Sequence, residues 1–140
     1  LPQLHSLFQQ PAEKVAVGDE SVWFYHRQPF GRVTYAVRIG PDNRVRGVEQ
    51  RLVEENIKKI QGGKTTTSDV RALFGPPYFT AYLPLKKYDS WEYKFFPGHI
   101  YDWKVLYVQF SPDGLAQEVL FMDDPARNNL DNDNNNRLLP

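Results

Sequence analysis

The chain has no cysteine, and its 17 lysine and arginine residues are balanced by 17 aspartate and glutamate residues, leaving no net charge at pH 7. The first absence excludes disulfides and thiolate-bound metal. The second argues against a nucleic-acid partner, which requires a basic patch or stripe, and against strong electrostatic binding to anionic lipid. No apolar run approaches the roughly 18 residues of a membrane-spanning helix, and no signal peptide is visible. The sequence opens on Leu1 with no initiating methionine, which reads as a processed or trimmed product.

What is present is a core. Hydrophobic residues make up 41% of the 140, and aromatic residues 14%, ample for a packed domain or for two very small ones. One stretch, Gly62-Gly63-Lys64-Thr65-Thr66, ends like a phosphate-binding loop. That loop needs an early glycine where this chain has Lys58, and a buried strand where it has a charged segment containing Ile57 and Ile60. The local chemistry fits a helix better. Thr66 and Asp69 form a capping pair, Val70, Leu73 and Phe74 share one face, and Gly75-Pro76-Pro77 stops the helix.

The chain repeats itself. Leu4, Leu7, Phe8 and Pro11 match Val70, Leu73, Phe74 and Pro77, Trp23 and Tyr25 match Trp91 and Tyr93, and Val37, Ile39, Pro41 and Asp42 match Val108, Phe110, Pro112 and Asp113. The spacing grows only in loops, as expected of two copies of one unit. Each unit reads as a helix, an optional extended segment (14–17; 79–83), an aromatic strand (21–27; 90–96), a second strand (33–39; 103–110), a Pro-Asp turn and a last strand (44–52; 115–121). The second unit has an extra leading helix at 53–61. The first lacks its counterpart, so truncation at the N-terminus is expected. The expected division is a first unit at 1–52, a second at 53–122 and a polar tail at 123–140.

Alternation assigns the sheet faces. Trp23, Tyr25, Val37 and Ile39, with Trp91, Tyr93, Val108 and Phe110, should lie under the helices. The opposite face carries Phe24, His26, Ala36 and Arg38 in one unit, and Glu92, Lys94, Phe96, Trp103, Val105, Tyr107 and Gln109, with Leu120 nearby, in the other. An aromatic sheet face not covered by its own helices is a candidate binding surface. The alternative is that a neighbouring unit or the tail covers it.

Gly63, Thr66, Val70, Leu73, Gly75 and Pro77, then Trp91 and Tyr93, then Phe110, Asp113 and Gly114 resemble, in order and spacing, the SmpA/OmlA family of small outer-membrane lipoproteins (BamE-like). Two such units in tandem are similar in plan to the β-lactamase inhibitory protein. The resemblance implies an α+β fold: two tandem units, each a helix pair packed on a three- to four-stranded antiparallel sheet, the first without its first helix. It also implies a protein on the periplasmic side of the outer membrane of a Gram-negative cell, with the β-barrel assembly machinery among its envelope partners. No cysteine or lipobox occurs here, so either a lipid anchor lies upstream of this chain or the protein is not a lipoprotein.

No catalytic constellation stands out. His5, His26 and His99 fall in separate elements, and there is no serine-hydrolase elbow. Neighbouring acids such as Asp123-Asp124 point apart and read as solvated. Asp131, Asp133 and Asn135 imitate the start of a calcium loop, but Asn136 stands at the glycine position and the tail ends before the closing acid. The expectation is a non-enzymatic protein-binding domain without metal or cofactor, using Phe24, His26, Arg38, Lys94, Phe96, Trp103, Tyr107 and Leu120. An inhibitor of a periplasmic or secreted enzyme such as a β-lactamase is the alternative, and a lipid or small-ligand module a further one.

Overall fold

The structure, a computed structural model, describes residues 10–26, 32–96 and 103–125. The helix expected near residues 4–8, His5, His99 and the tail beyond 125 lie outside them. Strands β1 (Glu13–Val17), β2 (Glu20–His26), β3 (Thr34–Ile39) and β4 (Val45–Gln50) form one antiparallel sheet in chain order. Helices α1 (Glu54–Ile57) and α2 (Thr67–Phe74) follow. A second four-stranded antiparallel sheet is built from β5 (Phe79–Leu83), β6 (Tyr88–Phe95), β7 (Lys104–Phe110) and β8 (Ala116–Asp123), also in chain order.

The α+β expectation of a helix pair on each sheet is overturned. Of the described residues 51% are strand and 12% helix, which makes the chain mostly β. The helix expected at 53–61 closes after Ile57. Its N-cap is Val53, which offers no side-chain acceptor. Beyond it Gly63, at φ +76°, turns the chain so that its N–H donates to Ala116 on β8. The amides of Lys64 and Thr65 both donate to the Gln61 carbonyl, and the Gln61 amide donates to the Thr65 hydroxyl. The donors a phosphate would need are therefore used within this turn and on the sheet.

The two sheets share details at matching places. A register shift interrupts the ladder at Arg38/Ile39 and again at Gln109/Phe110. The turn that follows contains a left-handed residue in each case, Asn43 at φ +63° and Gly114 at φ +80°, where asparagine and glycine tolerate a conformation other residues avoid. The edges differ. β1 carries Glu13 and Lys14, and β4 carries Arg46 and Glu49, whereas β5 has no charged residue and exposes Phe79 and Tyr82. Charge on an edge strand discourages pairing with other chains.

Helix α2 is the hinge of the packing. Its capping box forms as expected: the Asp69 amide donates to the Thr66 hydroxyl and the Thr66 amide to the Asp69 carboxylate. Val70 and Phe74 point into a core with Leu52, Ile57, Tyr93, Leu106, Val108 and Phe110, the face of sheet two that alternation assigned to the helices. The helix also touches sheet one. Arg71 pairs with Glu13 at 2.8 Å, and Arg51 donates to the carbonyls of Ala72 and Leu73. At the helix end Gly75 adopts φ +76° and ψ −161°, not the left-handed helical geometry of a standard stop. A Cβ there would lie 2.7 Å from the ring of Phe24. Sheet one therefore presents to α2 the face that the alternation argument left open, and Phe24 is fully buried.

Replacing Gly75 by alanine combines a backbone conformation reserved for glycine with a clash against Phe24. We expect Gly75→Ala to cost about 2–4 kcal/mol. Gly63→Ala, where nothing lies within 4 Å of the new atom, should cost clearly less. Urea unfolding of both variants checks this, and equal midpoints would contradict the packing argument.

Candidate functional site

The face of sheet two turned away from α2 is organised in rows across the strands. Phe79, Glu92, Tyr107 and Leu120 are successive cross-strand partners, one on each strand. On one side lies the row Ala81, Ser90, Gln109 and Glu118, and on the other Lys94, Val105 and Met122. The alternation of apolar and polar residues along β6 and β7 that sends Tyr93, Leu106 and Val108 into the core brings these residues to the outer face.

Both ends of this face are closed by lysines that reach across it. Lys86, in the turn between β5 and β6, pairs with Glu118 on β8 at 3.2 Å. In the row that includes Glu118, Ser90 and Gln109 are 3% and 8% exposed; the Gln109 Oε1 is buried without a hydrogen-bond partner among the described residues. At the other end Lys94 places its Nζ 3.2 and 3.1 Å from the two oxygens of Asp124 and 5.2 Å over the ring of Tyr78. Asp124 also pairs with Arg32, whose guanidinium lies 4.4 Å over the ring of Trp103 and donates to the Lys104 carbonyl. The Asp124 side chain is 0% exposed. Asp123 and Asp124 do point apart, but only Asp123 is solvated. The carboxylate read as solvated at position 124 is the anchor of a buried ion cluster.

Between the two closures sits Glu92. It is half-buried, and its carboxylate accepts no hydrogen bond among the described residues. Burial pushes its pKa above the ordinary carboxylate value, with Asp124 acting in the same direction and Lys94 against it. Tyr107 opposite it is raised by burial, then by Glu92 and Asp124. Of the apolar side chains around this pair, Phe79 is 54% exposed, Leu120 40% and Met122 55%, whereas Val105 is buried.

The structure brings together Lys94, Trp103, Tyr107 and Leu120 of the residues singled out from sequence. The others lie elsewhere. Phe24 packs on Gly75. His26, at the end of β2, has a buried Nδ1 with no hydrogen-bond partner among the described residues, and burial lowers its pKa. Arg38 lies over Gly47 and pairs with Glu49 at 2.7 Å and Glu20 at 3.1 Å. Phe96 lines a separate cavity of about 180 Å³ beside Val53, Glu54, Glu55 and Phe95. Phe24 leaves the site because Gly75, at the end of α2, packs on its ring. Phe79, Met122, Arg32 and Asp124 belong to this region without having been expected there. Strand alternation from Leu120 already places Met122 on this face, but no local signal announces the contact between Arg32 and Asp124, 92 residues apart.

Among the described residues no group of three or more His, Asp or Glu is placed to hold a metal ion, and no helix is long and apolar enough to cross a membrane. No protein-family model and no curated protein matches the chain. A solved structure, that of the DUF4309 family protein YjgB from Bacillus subtilis, is similar at 18% identity over 88% of this chain and 77% of that one, with a TM-score of 0.38. A likeness at that level bears on neither family nor function.

Asp124→Asn removes the charge that both Lys94 and Arg32 face, and should destabilise the fold by about 3 kcal/mol in chemical denaturation; a loss below about 1 kcal/mol would mean the cluster is solvated. Glu92 has the opposite sign. Its folded pKa lies above the unfolded value, so its contribution is fully present below the unfolded pKa and is lost as pH rises through the folded one. Wild type should therefore lose stability relative to Glu92→Gln as pH rises from about 4. An NMR titration of the Glu92 carboxyl carbon should give a midpoint above the usual 4.5, and a midpoint at or below that value would show the carboxylate to be well solvated or paired.

Proposed function

We propose that this chain is a non-enzymatic protein-contact domain of the Gram-negative cell envelope, and that it docks an extended partner segment on the outer face of sheet two. One observation carries the reading: Phe79, Leu120 and Met122 remain in solvent around half-buried Tyr107 and Glu92 on a single sheet face. Exposed apolar residues on both edge strands, flanking an aromatic residue and a half-buried acid, are the composition of a contact surface. The envelope setting, and the β-barrel assembly machinery as partner, are supported by the resemblance of the residues between Gly63 and Gly114 to the SmpA/OmlA family.

The test is capture of partners by the full tagged chain from detergent-solubilised envelopes, in parallel with the double variant Leu120→Ser, Met122→Ser. Because both side chains are exposed, the variant should keep its circular dichroism spectrum. We expect β-barrel assembly subunits to be enriched by wild type and reduced about tenfold or more by the variant. Undiminished capture by the folded variant would reject this face. Enrichment of a single envelope enzyme that the chain also inhibits would replace the assembly reading with the inhibitor one.

A further inference from the structure

The row at the centre of the outer face holds one charge. Glu92 stands between Phe79 and Tyr107, with Leu120 beyond, on four strands. The cations at the ends of the face pair with other acids, Lys86 with Glu118, and Lys94 and Arg32 with Asp124, and Lys94 also acts on Glu92. Glu92 is thus a carboxylate drawn partly out of water among rings and aliphatic side chains, with no donor from the described residues directed at it. A half-buried acid in that position discriminates between ligands. A neutral or acidic group laid over it completes the desolvation of a charge that Lys94 only partly compensates, while a cation restores the lost hydrogen bonds. The rings of Phe79 and Tyr107 on either side add a favourable environment for a guanidinium or ammonium group.

We propose that Glu92 recognises a lysine or arginine carried between apolar residues on the segment that docks on the outer face of sheet two. The inference rests on the contact function proposed above and adds the chemistry of the partner. The apolar neighbours of the cation would meet Leu120 and Met122 on one side and Phe79 on the other, and the cation itself would descend onto the Glu92 carboxylate. Specificity comes from the penalty on the wrong central residue as much as from attraction to the right one.

The probe is a set of fluorescein-labelled heptapeptides of the form apolar-apolar-apolar-X-apolar-apolar-apolar, varied in their aliphatic and aromatic residues, with X as arginine, lysine, citrulline or glutamate. Binding to the full chain is read by fluorescence polarisation. We expect arginine and lysine peptides to bind about tenfold or more tightly than their citrulline partners, and glutamate peptides least well. Glu92→Gln should erase the preference while leaving citrulline peptides bound as before, and Leu120→Ser with Met122→Ser should weaken every peptide. Equal binding of arginine and citrulline peptides to wild type, or a preference that survives in Glu92→Gln, overturns the role of Glu92 and leaves the contact surface standing. Binding by none of the peptides, or binding indifferent to the Leu120 and Met122 changes, overturns both.

Discussion

The fold depends on a contact made by an atom that is missing. Gly75 ends α2 with a bare α-carbon against the ring of Phe24, while its carbonyl accepts the hydroxyl of Tyr93 at 2.8 Å. Phe24 belongs to one sheet and Tyr93 to the other, and both are fully buried. A side chain at this position would push the sheets apart, and a helix that continued would remove the carbonyl from the Tyr93 hydroxyl. Burial moves the Tyr93 phenol well above its ordinary pKa, so it stays protonated and remains a donor. Sealing of the helix end, closure of the core of sheet two and attachment of sheet one all meet at this residue.

This arrangement decides which faces are left for partners. One helix serves both sheets, and Phe24 of sheet one is buried against its end. Sheet two uses the other side of the same helix, and on its outer face Phe79, Leu120 and Met122 stay exposed while Val105, Ser90 and Gln109 are buried. On that face charge and apolar surface are separated. Ion pairs of Lys86 and Lys94 lie toward the strand ends, and the exposed Phe79, Leu120 and Met122 lie on the two edge strands, β5 and β8. Buried ion pairs contribute little net stability when weighed against apolar replacements; what the Asp124 cluster contributes is position, since it holds the start of β7 and the end of β8 in register around Trp103.

Much of the local structure was legible in the sequence. The strands, the Thr66–Asp69 capping box and the positive-φ residues in the Pro-Asp turns all follow from short-range chemistry, and short-range chemistry is what alternation and capping report. The helix content was not legible. Ile57 and Ile60 have helical spacing, but the bond from Gly63 to Ala116 draws the chain onto β8 before a second turn can form, and that bond joins distant residues. The faces were half legible. Alternation correctly grouped Trp23 with Val37 and Phe24 with Ala36, but it could not say which group would meet a helix borrowed from the other unit. Asp124 was misjudged for the same reason: its partners are remote in sequence, and nothing in the Asp123-Asp124 pair distinguishes the buried acid from the solvated one.

The uncharged edge at β5 has a consequence for how the protein behaves in bulk. Sheet one ends on both sides in strands carrying charges, but Phe79–Leu83 presents five uncharged residues, with Lys86 and Lys87 placed just after them. Those lysines, with Asp89 and Glu92 on the neighbouring strand, are the charges nearest that segment, and Lys86 is already paired with Glu118. High salt screens what protection they give over a distance of about 10 Å, so colloidal stability should decline with ionic strength even though folding stability, which is dominated by apolar contacts, hardly changes.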